Sequence, residues 1–85
     1  MTTTAATTYT ATLPNGKTVT RKSKRTYTHF YAVSKNENGR REGLTISDGW
    51  HFGGFAGSKA HAEKAAAADS RGLFDWVVLE VSAQP

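Results

Sequence analysis

The residues that could do chemistry in this chain are histidines, hydroxyl side chains and a dense set of cations. The 85 residues include no cysteine, which excludes a thiol nucleophile, a thiolate metal site and a disulfide. His29, His51 and His61 are the only imidazoles, and they form neither an i, i+4 pair nor an HExxH motif. No serine lies in a Gly-x-Ser-x-Gly elbow. We therefore expect no enzymatic activity, no metal, no cofactor and no small-molecule substrate.

A glycine-rich run, residues 53–57, leads into a predicted helix that begins after Ser58. Backbone amides at such a position can bind an anion. The run is not a Walker motif, which places lysine before the hydroxyl residue, because here Ser58 precedes Lys59. We interpret the segment as a turn followed by an ordinary serine N-cap.

The charges are segregated along the chain. Residues 17–41 contain eight cations and one acid, whereas residues 42–85 contain three cations and six acids. Such a field can steer an anionic partner toward the basic part of the molecule. The alternative is that exposed strands carry lysine and arginine for solubility and to block edge-to-edge pairing.

The densest cations adjoin aromatic residues. Five cations lie within residues 17–25, and Tyr27, Phe30 and Tyr31 follow, so that phosphate contacts could combine with base stacking. No helix-turn-helix, zinc-finger or RNP signature is present, so sequence-specific readout is not expected. The chain is therefore predicted to be a binding module whose basic β-ribbon contacts nucleic-acid backbone. The predicted contacts to nucleic acid or another partner are Lys17, Arg21, Lys22, Lys24, Arg25, Phe30, Arg40 and Arg41.

A hairpin is predicted to carry these cations. Pro14 presets the turn and Gly16 accepts a left-handed conformation, so residues 14–16 form a three-residue loop that pairs Leu13 with Lys17. This register puts Leu13 and Val19 on one face, whereas a two-residue loop would separate them. The opposite face carries threonines and faces solvent: Thr8, Thr10, Thr12, Thr18 and Thr20.

The following elements are predicted from alternation and capping signals. Residues 27–34 form a third strand with Tyr31 inward and Phe30 outward, near Lys22 and Lys24. Residues 35–43 form a mobile loop in which Arg40 and Arg41 swing onto a ligand, and residues 44–47 form a short strand.

The second half of the chain contains the only predicted helix. Residues 50–57 combine three aromatics with glycines, which is typical of a strand end or irregular turn whose backbone packs closely against something. The helix covers residues 59–71 and ends at a left-handed Gly72, and residues 74–81 form a strand.

These elements predict an α+β fold, a two-layer sandwich of one mostly antiparallel sheet of four or five strands with one helix, in the order β-β-β-(β)-α-β. Residues 8–82 form a single domain, preceded by a disordered tail at residues 1–7. Trp76 and Val78 lie on the side of the last strand away from the core, so we expect a homodimer or a docking face.

No apolar run approaches the length of a membrane span, and the first ten residues lack the features of a signal peptide. We therefore expect a soluble cytoplasmic protein without a membrane partner.

The stretch RKSKRTYTHFYAV at residues 21–33, the Gly49-Trp50 pair and the helix SKAHAEKAA at residues 58–66 resemble small uncharacterised proteins of actinobacterial phages. Those proteins share an R-x-S-x-R-x-Y-T-H strand, a glycine-tryptophan turn and an alanine-rich AEKA helix, and the likeness covers residues 17–70. The resemblance implies a protein of the host-cell cytoplasm that takes part in host takeover. It also implies the alternative function, a stoichiometric inhibitor or modulator of a host polymerase, nuclease or defence component.

Overall fold

A computed structural model describes residues 6–84 and shows an α+β fold with two antiparallel sheets of three strands each. The strands are β1 (Thr7–Thr12), β2 (Thr18–Ser23), β3 (His29–Lys35), β4 (Trp50–Ala56), β5 (Phe74–Glu80) and β6 (Ser82–Gln84). The helices are α1 (Glu37–Arg41) and α2 (Lys59–Ser70). The hairpin sheet has the strand order β2-β1-β6, and the central sheet has the order β4-β3-β5.

The predicted three-residue hairpin loop is confirmed. The Leu13 N–H donates to the Lys17 carbonyl at 2.8 Å, and Ala11 lies opposite Val19. Gly16 has the left-handed conformation that the turn requires, with φ of 89°. Leu13 is therefore buried, with Val19 packed against the same core. Thr10 is half-buried rather than exposed because β6 pairs along the other edge of β1.

The core lies between the two sheets. Ala11 and Leu13 of the hairpin sheet meet Phe30 and Ala32 of the central sheet in one buried cluster. Seven partly buried side chains surround this cluster: Val19, Trp50, Phe52, Phe55, Val77, Leu79 and Val81. Inner faces of two sheets form such a core in sandwich folds.

Helix α2 covers the other face of the central sheet. Ala62 and Ala66 of α2 are fully buried. The Tyr31 hydroxyl of β3 donates to Asp69 of α2. Ser58 is confirmed as the N-cap, since its Oγ accepts from the His61 N–H at 3.1 Å. The helix ends at Ser70, one residue earlier than predicted, because Arg71 already adopts the left-handed conformation.

The predicted single sheet of four or five strands is wrong. The apolar strand at residues 74–81 is divided at Val81, where the chain leaves the central sheet and enters the hairpin sheet as β6. As a result the central sheet is covered on both faces, by the hairpin sheet and by α2. Phe30, predicted on the outer face, is fully buried for this reason, while Tyr31 on the opposite face of β3 is buried as well.

Two further segments differ from the predictions. Residues 37–41 form α1 instead of a loop, because Asn36 caps the helix by accepting from the Gly39 N–H at 3.0 Å. Residues 44–47 are not a strand. They wrap around the Lys35 ammonium group, which donates to the carbonyls of Leu44 and Ile46 at 3.4 and 2.8 Å.

The aromatic and glycine-rich stretch forms the complete strand β4, with a bulge. Tyr31 lies opposite Gly54 and Ala32 lies opposite Phe52, which leaves Gly53 as the extra residue. The predicted close packing of this backbone is confirmed, because the Tyr31 ring lies where a Cβ of residue 53 would be.

The predicted tail at residues 1–7 lies outside the described residues over positions 1–5, and β1 begins at Thr7, opposite Ser23. Neither helix within residues 6–84 has the length and apolar character needed to cross a membrane.

Candidate nucleic-acid interface

The end of β2 and the turn that follows it present the densest cations of the chain. We define the basic turn as Arg21 and Lys22 of β2 together with Lys24 and Arg25 of the turn. Two hydrogen bonds fix its backbone: the Arg25 N–H donates to the Ser23 Oγ at 3.0 Å, and the Tyr9 hydroxyl donates to the Arg25 carbonyl at 2.8 Å. Tyr9 is buried, so the turn is attached to the core while its charged side chains face outward.

All four side chains of the basic turn are exposed. The ion pairs found within residues 6–84 involve other cations, so no acid of the described chain neutralises this turn at ion-pair distance. Lys22 projects from the threonine face of the hairpin sheet, opposite Thr8. Arg21 projects from the other face, where its guanidinium lies 6.0 Å from the centre of the Tyr27 ring.

The aromatic rings behind the turn are packed against one another. Tyr27 lies 5.1 Å from Tyr9, edge to face, and 5.3 Å from Phe55, stacked. Phe30 and Tyr31 are buried in the central sheet. The three rings predicted as stacking surfaces are therefore occupied by contacts within the protein. Phe30 in particular is not part of a binding surface.

Helix α2 begins near the basic turn. The Thr28 N–H donates to the Ala56 carbonyl at 3.0 Å, which places the chain before the helix beside the segment after the turn. Lys59 is exposed, and the first turn of α2 contains no acid, so the helix N-terminus adds positive partial charge at this end. Glu80, opposite His29, is an exposed acid at the same end. The sequence contains no local signal for the proximity of Lys59, because only tertiary pairing produces it.

The remaining predicted cations lie at the opposite end of the molecule. Lys17 follows the hairpin loop, in which the Asn15 Nδ2 donates to the Trp50 carbonyl at 3.3 Å. Trp50 pairs with Ser34 at the end of β3, just before α1. Lys17 lies four residues before Arg21, the nearest residue of the basic turn, which is about 13 Å along the extended strand.

The prediction that Arg40 and Arg41 swing onto a ligand from a mobile loop is not met. Both lie in α1, where Arg40 pairs with Asp48 at 3.5 Å and Arg41 pairs with Glu37 at 3.8 Å. The structure therefore brings together Arg21, Lys22, Lys24 and Arg25, and it separates them from Lys17, Arg40 and Arg41.

A cleft of about 440 Å³ lies beside α1, lined by residues 34–38, Arg40 and Asp75. The ammonium group of Lys35 is committed to two carbonyls and lies 3.6 Å from Asp48. The one lysine in the cleft is therefore held by hydrogen bonds and an ion pair that stabilise the fold. Within residues 6–84, histidines and acids do not gather in a group that could hold a metal ion.

One titratable group is strongly perturbed. Burial raises the pKa of the Tyr31 hydroxyl from its usual 10.0 to about 12, and the hydrogen bond to Asp69 and the negative charge of Asp69 act in the same direction. Since the protonated hydroxyl connects β3 to α2, we assign this pair a structural role.

The chain matches no protein-family model, no curated protein and no solved structure. Function is therefore inferred from the geometry of the basic turn.

Proposed function

We propose that this protein is a non-enzymatic module that binds nucleic-acid backbone through the basic turn. The observation that supports this is the exposure of four cations within five residues, on a backbone held by Tyr9 and Ser23. Phosphates bind such cations with release of condensed counterions. A turn that is already ordered loses little backbone entropy when a ligand binds.

The mode of binding follows from the packed rings. Because Phe30 and Tyr31 are buried and the half-buried Tyr27 is stacked on Phe55, the rings beside the turn offer little surface on which unpaired bases could stack. Contacts to phosphate position a protein without reading bases. We therefore expect little preference for sequence.

The salt dependence of binding measures the number of phosphates contacted. Four cations that each neutralise one phosphate give a log–log slope of about −3.6 on duplex DNA. Fluorescence anisotropy with a labelled duplex, measured over a series of salt concentrations, yields this slope. The variant Lys22→Glu/Lys24→Glu should abolish binding and leave the fold intact, because both side chains are exposed.

A matched control uses the other end of the molecule. Lys17→Glu/Arg41→Glu makes the same change in net charge, but about 13 Å or more from the turn, beyond a Debye length of about 8–10 Å. This variant should bind nearly as well as the wild type. Equal loss in both variants would show that net charge rather than the basic turn governs binding. Failure of the wild type to bind duplex or single strand at low salt would contradict the proposal.

The same turn also suits an acidic protein surface, which is the inhibitor function implied by the phage resemblance. The observation that favours it is that the rings beside the turn are packed against one another, so that the turn offers mainly charge. Capture from host lysate with and without nuclease separates the two functions. A single protein retained after nuclease, and lost with Lys22→Glu/Lys24→Glu, would establish the inhibitor function in place of nucleic-acid binding.

A further inference from the structure

The edges of the two sheets differ in how they are protected against pairing with another chain. Strand β2 carries Arg21 and Lys22 along its free edge, β4 is distorted by the bulge at Gly53, and β6 has only three residues. Charges, bulges and short length are the usual means of blocking edge-to-edge association.

Strand β5 has the least protection. Its seven residues, Phe74–Glu80, contain no lysine, arginine, proline or glycine, and its two acids flank an apolar centre. Trp76 is 39% exposed, and among the large apolar side chains of residues 6–84 it is the one that is exposed. A regular apolar edge beside an exposed tryptophan is the pattern of a surface that pairs with a strand.

The backbone groups that face outward can be read from the bonds at both ends of β5. The Val81 N–H donates to the Thr28 carbonyl at 3.0 Å, and the Leu73 carbonyl accepts from the Asn36 N–H at 3.1 Å. Odd-numbered residues therefore direct their backbone groups toward β3, and alternation directs those of Trp76 and Val78 outward. These outward groups have no backbone partner in the described part of the chain, where β5 pairs only with β3.

We propose that β5 pairs antiparallel with β5 of a second copy of this chain, about a two-fold axis at Val77. An isologous contact of this kind requires a surface that complements itself. Centring on Val77 places Trp76 opposite Val78 of the second copy, and each outward N–H meets an outward carbonyl. The two side chains share the α2 face, so Val78 of the second copy covers the exposed indole.

The charges agree with this register. Asp75 lies opposite Leu79 of the second copy and Phe74 lies opposite Glu80, so that like charges never face each other. An axis at Val78 would instead place the Trp76 ring opposite Glu80. The pairing joins the two central sheets into one continuous sheet of six strands and ends there, because a two-fold contact closes on itself.

Two measurements test the register. Sedimentation and light scattering should show the 9.2 kDa chain doubling in mass as its concentration rises. Hydrogen exchange should show the amides of Trp76 and Val78 becoming protected over the same concentration range. The amides of Val77 and Leu79 should be protected at every concentration, because they bond to β3. A monomer throughout, or a dimer in which the Trp76 and Val78 amides stay unprotected, would overturn the proposal.

A pair of matched variants tests the contact across the axis. Trp76→Lys/Val78→Lys places like charges opposite each other and should remain monomeric, whereas Trp76→Lys/Val78→Glu places opposite charges there and should dimerise more tightly. Equal association of the two variants, each shown to be folded by circular dichroism, would also overturn the proposal.

Discussion

Replacing Gly53 with alanine tests the packing of the bulge in β4 against Tyr31. A Cβ at position 53 would overlap the ring of Tyr31, with Cζ at only 2.8 Å. The ring cannot move away freely, because its hydroxyl is bonded to Asp69 of α2 and the side chain is buried. Gly54, the next residue, provides a matched control: its added Cβ would meet the Tyr31 Cε1 at 3.4 Å, an ordinary contact.

The expected loss has two parts. Overpacking of a well-packed site costs about 1–3 kcal/mol, and displacing the ring breaks its bond to the exposed Asp69, which contributes about 1 kcal/mol. Gly53→Ala should therefore lower the free energy of unfolding by about 2–4 kcal/mol. For a domain of this size that corresponds to a fall in Tm of roughly 10–25 °C. Gly54→Ala should change stability by less than about 1 kcal/mol, since alanine also restricts the unfolded chain.

Urea denaturation of both variants, followed by circular dichroism, measures the difference. A double-mutant cycle with Tyr31→Val isolates the steric contact, because valine lacks the ring atoms that the new methyl group would meet. In that background Gly53→Ala should cost little. Equal effects of the two alanine substitutions, or an undiminished cost of Gly53→Ala in the Tyr31→Val background, would refute the predicted overlap.

Two other predictions concern β3. Tyr31→Phe should remove a pH dependence: because folding raises the pKa of this hydroxyl, its contribution to stability is complete below pH 10.0 and is lost as the pH rises through about 12. The free energy of unfolding of the wild type, measured in urea, should therefore fall relative to that of the variant over that range by up to about 2–3 kcal/mol. A constant difference would contradict the assignment. Phe30→Ala should lower the free energy of unfolding by about 3–5 kcal/mol, since the ring is fully buried. A loss below about 0.5 kcal/mol in the same assay would indicate that the Phe30 ring lies on a solvent-exposed face.

Features specified by neighbouring residues could be predicted from the sequence. The hairpin loop follows from Pro14 and Gly16, and the start of α2 follows from Ser58, because turn and cap chemistry act over a few residues. Helix α1 has such a signal as well. Asn36 lies at its N-cap, with Glu37 in the first turn and basic residues in the last, and these features could have identified it.

Features that depend on what packs against an element could not be predicted. Both faces of β3 carry apolar side chains. From the sequence alone, either Phe30 or Tyr31 had to face the core, but both are buried, because a different layer covers each face of the strand. The apolar run at residues 74–81 likewise contains no mark of the change of sheet at Val81. The cations of the candidate site were evident from the sequence. Their separation into two ends follows from the path of the chain through both sheets.

The position of β1 between β2 and β6 has a consequence for folding during synthesis. Thr8 and Thr10 pair with Gln84 and Ser82, so the hairpin sheet stays incomplete until the ribosome has released the last described residues. Until then one edge of β1 remains open to water or to chaperones. Contacts between residues so far apart in sequence also slow folding. The chain should therefore acquire its native structure only after synthesis has passed residue 84, rather than hairpin by hairpin as it emerges.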